Sequence, residues 1–274
     1  MDSVHLSGVK RFVLAACAAL ALLVMSGARA DLAAGVAAFR ASDYGLAITE
    51  LTPPAAAGEA EAQFYLGVMY AAGWGTVADA AVAHSWYERA ADQGFVKAEH
   101  NLGAIYRDGF GVARDPAQAR LWFERAAKHS SARAAAALGT MYYRGDGGAR
   151  DFAAAVDWWR RAFDGGEADA GYNLGIAYRR GVGVSRDFAM ATKCWERAAR
   201  AGSMLAQNAL GSAYLSGEGV VADPVKAYGW FRHAAVGGLP VAAQNAELLF
   251  NQLSETERES ARAFAAELNL PHQP

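Results

Sequence analysis

The sequence predicts an all-α solenoid, a fold in which small two-helix units stack one after another along the chain. A leucine followed by glycine recurs at a spacing of 36 residues, and each copy continues into a glycine-x-glycine turn and then an aromatic pair. A period of roughly 20 to 50 residues is typical of such repeat folds. The repeating leucines are Leu66, Leu102, Leu138, Leu174 and Leu210. Because repeats stack without one central core, we interpret the 274 residues as one domain of five full repeats with caps.

Residues 1–30 are predicted to be a signal peptide that is cleaved on export. A Lys-Arg pair at 10–11 precedes an apolar run over 12–25, and the small-x-small sequence at 28–30 predicts cleavage after Ala30. The apolar run is shorter than the roughly 20 residues of a membrane span, so retention as an anchor is the less favoured alternative. We therefore expect a periplasmic or secreted protein that has no stable membrane span after cleavage.

Composition argues against nucleic-acid binding and against stabilisation by disulfides. Lysine and arginine total 26 against 28 acidic residues, and removal of the leader leaves 23 against 27, a net charge of about −4. A protein that binds the phosphate backbone would normally present a strongly basic face. Cys17 and Cys194 are the only cysteines, so the mature chain has one thiol and cannot form an internal disulfide.

The first helix of each repeat carries Ala, Leu, Gly and Tyr at fixed places, as at Ala62, Leu66, Gly67 and Tyr70. Spacings of three and four residues put the alanine, the leucine and the tyrosine on one face, which is predicted to be buried. Glycine weakens a helix, so its recurrence after the leucine predicts close packing against a neighbouring helix. We expect the first glycine of each pair, such as Gly73, to end this helix in the left-handed conformation.

The second helix is predicted to begin at an aspartate whose carboxylate accepts hydrogen bonds from the first-turn amides. These capping residues are Asp79, Asp115, Asp151, Asp187 and Asp223. An aromatic pair such as Trp122-Phe123 follows each cap at helical spacing, and we interpret these pairs as core rather than as a cofactor site. A glycine ends this helix in four repeats, but Ser130 replaces it in the second, where we expect a looser or differently turned junction.

Both ends of the array are predicted to be capped. Residues 31–61 keep the helix-turn-helix rhythm but lack the tryptophan, and we interpret them as a degenerate N-terminal capping repeat. Residues 62–240 hold the five full repeats, and 241–274 begin a partial repeat that leads into a C-terminal capping helix. The segment Ser254–Glu257 resembles a capping box at the start of that helix, and Pro271–Pro274 are expected to form a frayed tail.

The pattern Leu-Gly-x-x-Tyr-x-x-Gly-x-Gly-Val-x-x-Asp, followed by Trp-Tyr-x-x-Ala-Ala, resembles the Sel-one-like repeats, relatives of the tetratricopeptide repeats. The resemblance runs from about residue 60 to about residue 250 in five copies without an insertion. Isolated departures are Ser130, Gly148, Phe163 and Cys194. The resemblance implies a right-handed superhelix whose first helices line the concave side. It also implies a role as an adaptor in bacterial envelope signalling, secretion or complex assembly.

The mature sequence carries no recognisable catalytic or metal-binding pattern. The only Ser-x-x-Lys match, from Ser7 to Lys10, lies in the leader, and the histidines lack the spacing of a zinc peptidase. The glycine-x-glycine turns join helix to helix, whereas a dinucleotide site follows a strand. We therefore predict no enzyme and no cofactor. The alternative from another class is a β-lactamase-like or cell-wall-acting hydrolase, an activity described for cysteine-rich relatives.

If the tetratricopeptide register carries over, the concave positions of each first helix lie two before and two, five and six after the leucine. They are basic and aromatic in the second to fourth repeats and neutral in the fifth. The candidate partner-binding residues, including two asparagines that precede their leucines, are His100, Asn101, Arg107, Tyr143, Arg144, Tyr172, Asn173, Arg179 and Arg180. Guanidinium groups pair well with carboxylates, so we expect an acidic or C-terminal segment of an envelope protein. The alternative is that these arginines only solvate the helix ends.

The sequence thus predicts a periplasmic or exported adaptor or regulator that binds a protein or peptide partner in its concave groove. A more specific alternative, implied by the resemblance, is a periplasmic repressor of a sensor kinase that controls exopolysaccharide or motility genes. A structural component of a secretion or polysaccharide machine is a third possibility.

Overall fold

The computed structural model describes residues 32–268. Helices joined by short turns make up this part of the chain, and no strand occurs within it. The predicted signal peptide over 1–30 and the predicted frayed tail at Pro271–Pro274 lie outside the described residues. None of the helices between residues 32 and 268 combines the length and the apolarity that a membrane crossing would need. The all-α repeat fold predicted from the sequence is confirmed.

The chain divides into two compact units, one ending at Asp115 and the other beginning at Pro116. In the first unit the described helices are α1 (residues 32–40), α2 (Tyr44–Ala56), α3 (Ala60–Ala72), α4 (Ala80–Asp92) and α5 (Val96–Asp108). Consecutive helices from α2 to α5 pack against one another. Leu51 and Leu66 belong to the buried core that joins α2 to α3.

The second unit continues the same helical rhythm. Its helices are α6 (Pro116–Lys128), α7 (Ala132–Arg144), α8 (Phe152–Asp164), α9 (Ala168–Arg180), α10 (Phe188–Arg200), α11 (Met204–Ser216), α12 (Pro224–Val236), α13 (Pro240–Gln252) and α14 (Glu255–Glu267). Consecutive helices from α6 to α13 pack against one another, the first helices α9 and α11 also touch, and α14 packs on α12. A capping box between Ser254 and Glu257 starts α14, as the sequence predicts.

The mid-helix glycines admit the aromatic rings of the second helices. A Cβ atom built on Gly67 of α3 would lie 2.7 Å from the ring of Tyr87 in α4, closer than any side chain can pack. Tyr87 is buried at 4% exposure, so the ring occupies the space that a larger residue would need. The same relation joins Gly139 to Trp159, Gly175 to Trp195 and Gly211 to Phe231. Close packing at these glycines is therefore confirmed.

The predicted helix ends are also confirmed. Gly73 ends α3 in the left-handed conformation with φ 72°, and the first glycine of each later pair does the same. Oδ1 of Asp79 accepts hydrogen bonds from the backbone amides of Ala81 and Val82 at 3.0 Å at the start of α4. The aspartates that cap later second helices in the same way are Asp151, Asp187 and Asp223. These carboxylates therefore serve to start helices.

The expectation that the Ser130 junction turns differently is wrong. Ser130 itself adopts the left-handed conformation, with φ 67°, that glycines adopt at the equivalent positions of the other repeats. The backbone amide of Ser130 donates to the carbonyl of Ala127, and the backbone amide of Ser131 donates to the carbonyl of Ala126. The amides of Gly166 and Glu167 donate to the equivalent carbonyls in the next repeat. The hydrogen bonds of the turn therefore hold the serine backbone in a conformation that a side chain disfavours.

The aromatic pairs are only partly core. The second member is buried in every repeat, as for Phe123 and Trp195, which confirms the prediction for that position. In the first three repeats the first member is half-buried, and an arginine one helical turn later covers it, whereas Cys194 and Trp230 at this position of the last two repeats are buried. The guanidinium carbon of Arg161 lies 4.7 Å from the ring centroid of Trp158. Such a cation–π contact shields an exposed ring from water.

Candidate functional site

A cavity of about 290 Å³ lies between the first helices α7 and α9 of the second unit. Tyr143 and Arg144 from α7 line it together with Tyr172, Asn173 and Arg180 from α9. The structure thus brings together five of the nine candidate residues. The remaining lining residues are Thr140, Trp159, Ile176, Ala177 and Val182. We refer to this feature as the α7–α9 cavity.

The repeat geometry explains why these side chains meet. Arg144 and Arg180 are the last residues of α7 and α9, and each immediately precedes a left-handed glycine that ends its helix. The two guanidinium groups therefore occupy equivalent positions in successive repeats. The ring of Tyr143 packs 5.5 Å from Trp159 between centroids and 5.3 Å from Phe152. These contacts fix one wall of the cavity before any ligand binds.

The α7–α9 cavity is positively charged. Arg144 and Arg180 are both exposed, and neither forms an ion pair with a carboxylate within residues 32–268. Among the described residues that line the cavity, none is Asp or Glu. Arg179 is different, because its Nε donates to Oε2 of Glu218 at 2.8 Å and the residue does not line the cavity. Two of the three arginines in this region therefore keep their charge available for a ligand.

A cavity of about 320 Å³ occupies the equivalent place in the first unit, between α3 and α5. Asn101 lines it, but its side chain is hydrogen-bonded to Tyr87. Burial raises the pKa of Tyr87 to about 12, and the bond to Asn101 opposes that shift. Asp108 stands where α9 carries Arg180, and Ala71 stands where α7 carries Tyr143. The same place in the repeat therefore has a different chemistry in the two units.

The other candidates of the first unit do not line this cavity. Nε and Nη2 of Arg107 donate to the two carboxylate oxygens of Asp108 at 2.8 and 2.7 Å. This hydrogen bond lowers the pKa of Asp108 and raises that of Arg107. His100 is half-buried and is also absent from the lining. In this repeat the positive charge of Arg107 is thus matched by its sequence neighbour.

The first helix of the fifth repeat is neutral, and the polar side chains at its predicted concave positions form hydrogen bonds within the protein. Oδ1 of Asn208 accepts from Nδ2 of Asn245 at 2.9 Å, and the hydroxyls of Ser212 and Ser216 donate to carbonyls of α11. Leu215 is exposed on the same helix. This part of the second unit offers hydrogen-bonding groups that are already engaged, in contrast to the α7–α9 cavity.

Sequence reasoning assigned Trp159 to the core only and did not consider Val182. Trp159 does fill the space at Gly139, but its ring also forms a wall of the α7–α9 cavity. Val182 lies between the two glycines of a turn whose regularity suggested a purely conformational role. Both positions follow from the repeat register, since a second helix lies between each two successive first helices.

Two features of the described residues bear on chemistry other than binding, namely the possible metal ligands and the single thiol. No group of three or more His, Cys, Asp or Glu between residues 32 and 268 is arranged to hold a metal ion. Cys194 is buried, and burial raises the pKa of its thiol to about 11 despite the opposing influence of Arg197. A thiol with this pKa is almost fully protonated at neutral pH and is a poor nucleophile.

The stacked helix pairs and the cavity on the first-helix side define a helical-repeat protein with a surface suited to binding. The Sel1 repeat family matches residues 60–95, 96–131, 132–167, 168–203 and 205–238. The chain belongs to this family. Sel1 repeat proteins are generally protein–protein interaction scaffolds, and they are typically non-catalytic.

Several solved structures resemble the chain, and two of them cover most of it at 28–29% identity. A Sel1 repeat protein from Oxalobacter formigenes is 29% identical with a TM-score of 0.76, over 87% of this chain and 98% of the other. A protective antigen of uropathogenic Escherichia coli that displays an SLR fold is 28% identical with a TM-score of 0.77 over 88% of this chain. The match covers 54% of the antigen, so the chain spans about half its length. No curated protein sequence matches the chain.

Proposed function

We propose that the protein is an exported adaptor or regulator that binds a segment of a protein partner in the α7–α9 cavity and performs no catalysis. The observation that carries this proposal is the pair of guanidinium groups, Arg144 and Arg180, beside Tyr143 and Tyr172. Arginine and tyrosine are enriched among the residues that dominate binding energy at protein interfaces. Family membership supports the general role, and the lining of the cavity supports this location for the binding site.

The charges favour binding over the alternative that the arginines only solvate helix ends. Arg179 lies at the same end of α9 as Arg180, and Glu218 neutralises its charge. An arginine at this helix end can therefore be paired with a carboxylate of the protein. Arg144 and Arg180 instead flank a cavity that has an aromatic wall. Uncompensated positive charge in a protein of net charge −2 creates a local field that attracts an acidic segment.

Export is the second part of the proposal. The basic pair, apolar run and small-x-small sequence of residues 1–30 support a Sec-type signal peptide and a periplasmic or secreted location. Mass spectrometry of the protein from fractionated native cells tests this directly. We expect a mature chain in the periplasm or medium that begins at Asp31. A full-length chain in the cytoplasmic fraction would contradict export.

Site-specific photo-crosslinking in the native cell tests the binding role. A photoreactive phenylalanine analogue in place of Tyr143 is expected to crosslink to one partner protein, identified by mass spectrometry. The matched control carries the analogue in place of Ala71, the equivalent position in the first unit. Reversal of charge in Arg144→Glu/Arg180→Glu should abolish the crosslink from position 143. Equal crosslinking from both positions, or a crosslink that survives charge reversal, would reject the α7–α9 cavity as the binding site.

A direct activity assay tests the non-catalytic part of the proposal. We expect no turnover of a chromogenic β-lactam and no release of fragments from peptidoglycan by the purified mature protein. If turnover is detected and its specific activity stays constant through further purification of the protein, the hydrolase alternative would replace the adaptor proposal.

A further inference from the structure

We propose that the α7–α9 cavity receives the C-terminal residue of the partner, with its terminal carboxylate between Arg144 and Arg180 and its apolar side chain against Trp159. This inference rests on the proposed function and specifies which part of the partner is recognised. It distinguishes a free chain end from an acidic segment within a chain. Both carry carboxylates, but they differ in what surrounds the charge.

The first argument is the mixed chemistry of the lining. Trp159, Ile176 and Val182 present apolar surface, and the two arginines present positive charge within the same cavity. An internal aspartate or glutamate brings a carboxylate but no apolar side chain of its own. A C-terminal leucine or phenylalanine carries both groups on one residue. The cavity is therefore better matched to a chain end than to an acidic segment.

The second argument is a surplus of hydrogen-bond donors. In the first unit the Asn101 side chain is occupied by the hydroxyl of Tyr87. Trp159 replaces that tyrosine at the equivalent position of the second unit and has no hydroxyl. Within residues 32–268, the amide of Asn173 consequently makes no side-chain hydrogen bond. A carboxylate, which only accepts hydrogen bonds when ionised, complements this amide and the two guanidinium groups.

The third argument is the size of the cavity. Its volume of about 290 Å³ is near the lower end of the roughly 300–1,000 Å³ typical of ligand pockets. A space of this size suits one side chain with its carboxylate rather than a folded element of the partner. Tyr143 and Tyr172 provide amphipathic side walls that can contact the preceding peptide backbone.

The equivalent cavity of the first unit provides an internal comparison. Asp108 replaces Arg180 there, and Ala72 replaces Arg144. A carboxylate would meet an Asp108 that is already paired with Arg107 instead of two unpaired guanidinium groups, although the volume of about 320 Å³ is similar. Recognition of a chain end is thus assigned to the α7–α9 cavity by its side chains and not by the shape of the repeat.

Peptides with a defined terminus test the inference. The probe is a fluorescein-labelled hexapeptide, Gly-Ser-Gly-Ser-Ala-Phe, with a free C-terminal carboxylate, and binding to the mature protein is followed by fluorescence anisotropy. The same peptide with a C-terminal amide should bind at least about tenfold more weakly, because it lacks the charge-assisted hydrogen bonds. An amidated peptide with glutamate in place of alanine presents a carboxylate within the chain and should also bind at least about tenfold more weakly.

Variants locate the site. Arg144→Gln/Arg180→Gln should reduce affinity for the free-acid peptide by about tenfold or more. The control Arg107→Gln should leave affinity unchanged, because Asp108 already matches that charge. Circular dichroism establishes that the variants retain their helical content. In NMR spectra of the wild-type protein, titration with the free-acid peptide should also shift the side-chain amide resonance of Asn173. This measurement does not depend on the folding of any variant.

Several results would overturn the inference. Equal binding of the free-acid and amide peptides would show that the chain end is not recognised, and equal binding of the glutamate peptide would favour an internal acidic segment. Absence of binding by the free-acid peptide at millimolar concentration, or an unshifted Asn173 amide during saturable binding, would also contradict it. None of these results affects the photo-crosslinking test, so failure of the inference and failure of the proposed function can be distinguished.

Discussion

Replacement of Ser130 by glycine should stabilise the protein. Ser130 has φ 67°, a left-handed conformation that costs a residue with a side chain about 1–2 kcal/mol relative to the right-handed region. Glycine removes that cost but gains flexibility in the unfolded chain, which costs about 0.4–1 kcal/mol. The net expectation for Ser130→Gly is an increase of about 0.5–1 kcal/mol in the free energy of unfolding. Ser131, which caps α7 through its hydroxyl, is unchanged.

The reverse substitution provides the matched control. Gly238 occupies the equivalent turn with φ 101°, and a Cβ atom built there meets nothing within 4 Å. Gly238→Ser should therefore lower the free energy of unfolding through backbone strain alone, by about 1 kcal/mol. Urea denaturation followed by far-UV circular dichroism measures both changes, provided that the m-value is constant. If Ser130→Gly is neutral or destabilising while Gly238→Ser destabilises, the serine is not strained and the reasoning is refuted.

Three further predictions concern buried positions. Gly175→Ala should lower the free energy of unfolding in urea by about 1–2 kcal/mol, because the added Cβ overlaps the Trp195 ring. The control Gly45→Ala, whose Cβ would lie in open space, should be neutral or stabilising in the same assay. Glu99 is fully buried at the position where two other repeats carry a glutamine. A neutral amide costs less to bury than a carboxylate, so Glu99→Gln should raise the free energy of unfolding in urea by about 1 kcal/mol, and an unchanged or lower value would contradict this. Burial raises the pKa of Cys194 to about 11, so Ellman's reagent at pH 8 should react on the order of a hundredfold more slowly with folded than with urea-unfolded protein. Because the folded thiol holds its proton more tightly than the unfolded one, its contribution to stability is complete below about pH 8.5 and is lost towards pH 11. Cys194→Ala should therefore reduce the loss of stability between these pH values. An identical pH profile of stability in the variant would contradict this prediction.

The repeat architecture was predictable because each position has a single local cause. Leucine, glycine and aspartate recur where the chain must pack, turn or start a helix, as at Leu66, Gly73 and Asp79. Such causes act within one repeat or between adjacent helices, so a fixed period reveals them. Ser130 shows the limit of this reasoning, since the turn imposes its conformation on a residue that does not favour it.

The candidate site was predictable in outline but not in detail. The repeat register placed Tyr143, Arg144 and Arg180 on successive first helices, and they do line one cavity. The register could not show that Arg179 is engaged by Glu218, because that pair joins side chains 39 positions apart. Such pairings depend on side-chain reach and rotamer, which periodicity does not specify. The position of Trp159 beside the cavity does follow from the register, but its assignment to the core alone overlooked this second contact.

The central claim is that the uncompensated arginines of the α7–α9 cavity bind the natural partner. The most direct measurement uses the partner that crosslinking identifies, purified on its own. Its dissociation constant is determined for the wild-type protein and for two charge-reversal variants. We predict that Arg144→Glu/Arg180→Glu weakens binding by at least about a hundredfold. Arg107→Glu/Arg179→Glu, which alters two arginines already paired with carboxylates outside the α7–α9 cavity, should weaken it much less. Equal loss of affinity in both variants, or no loss in the first, would contradict the account.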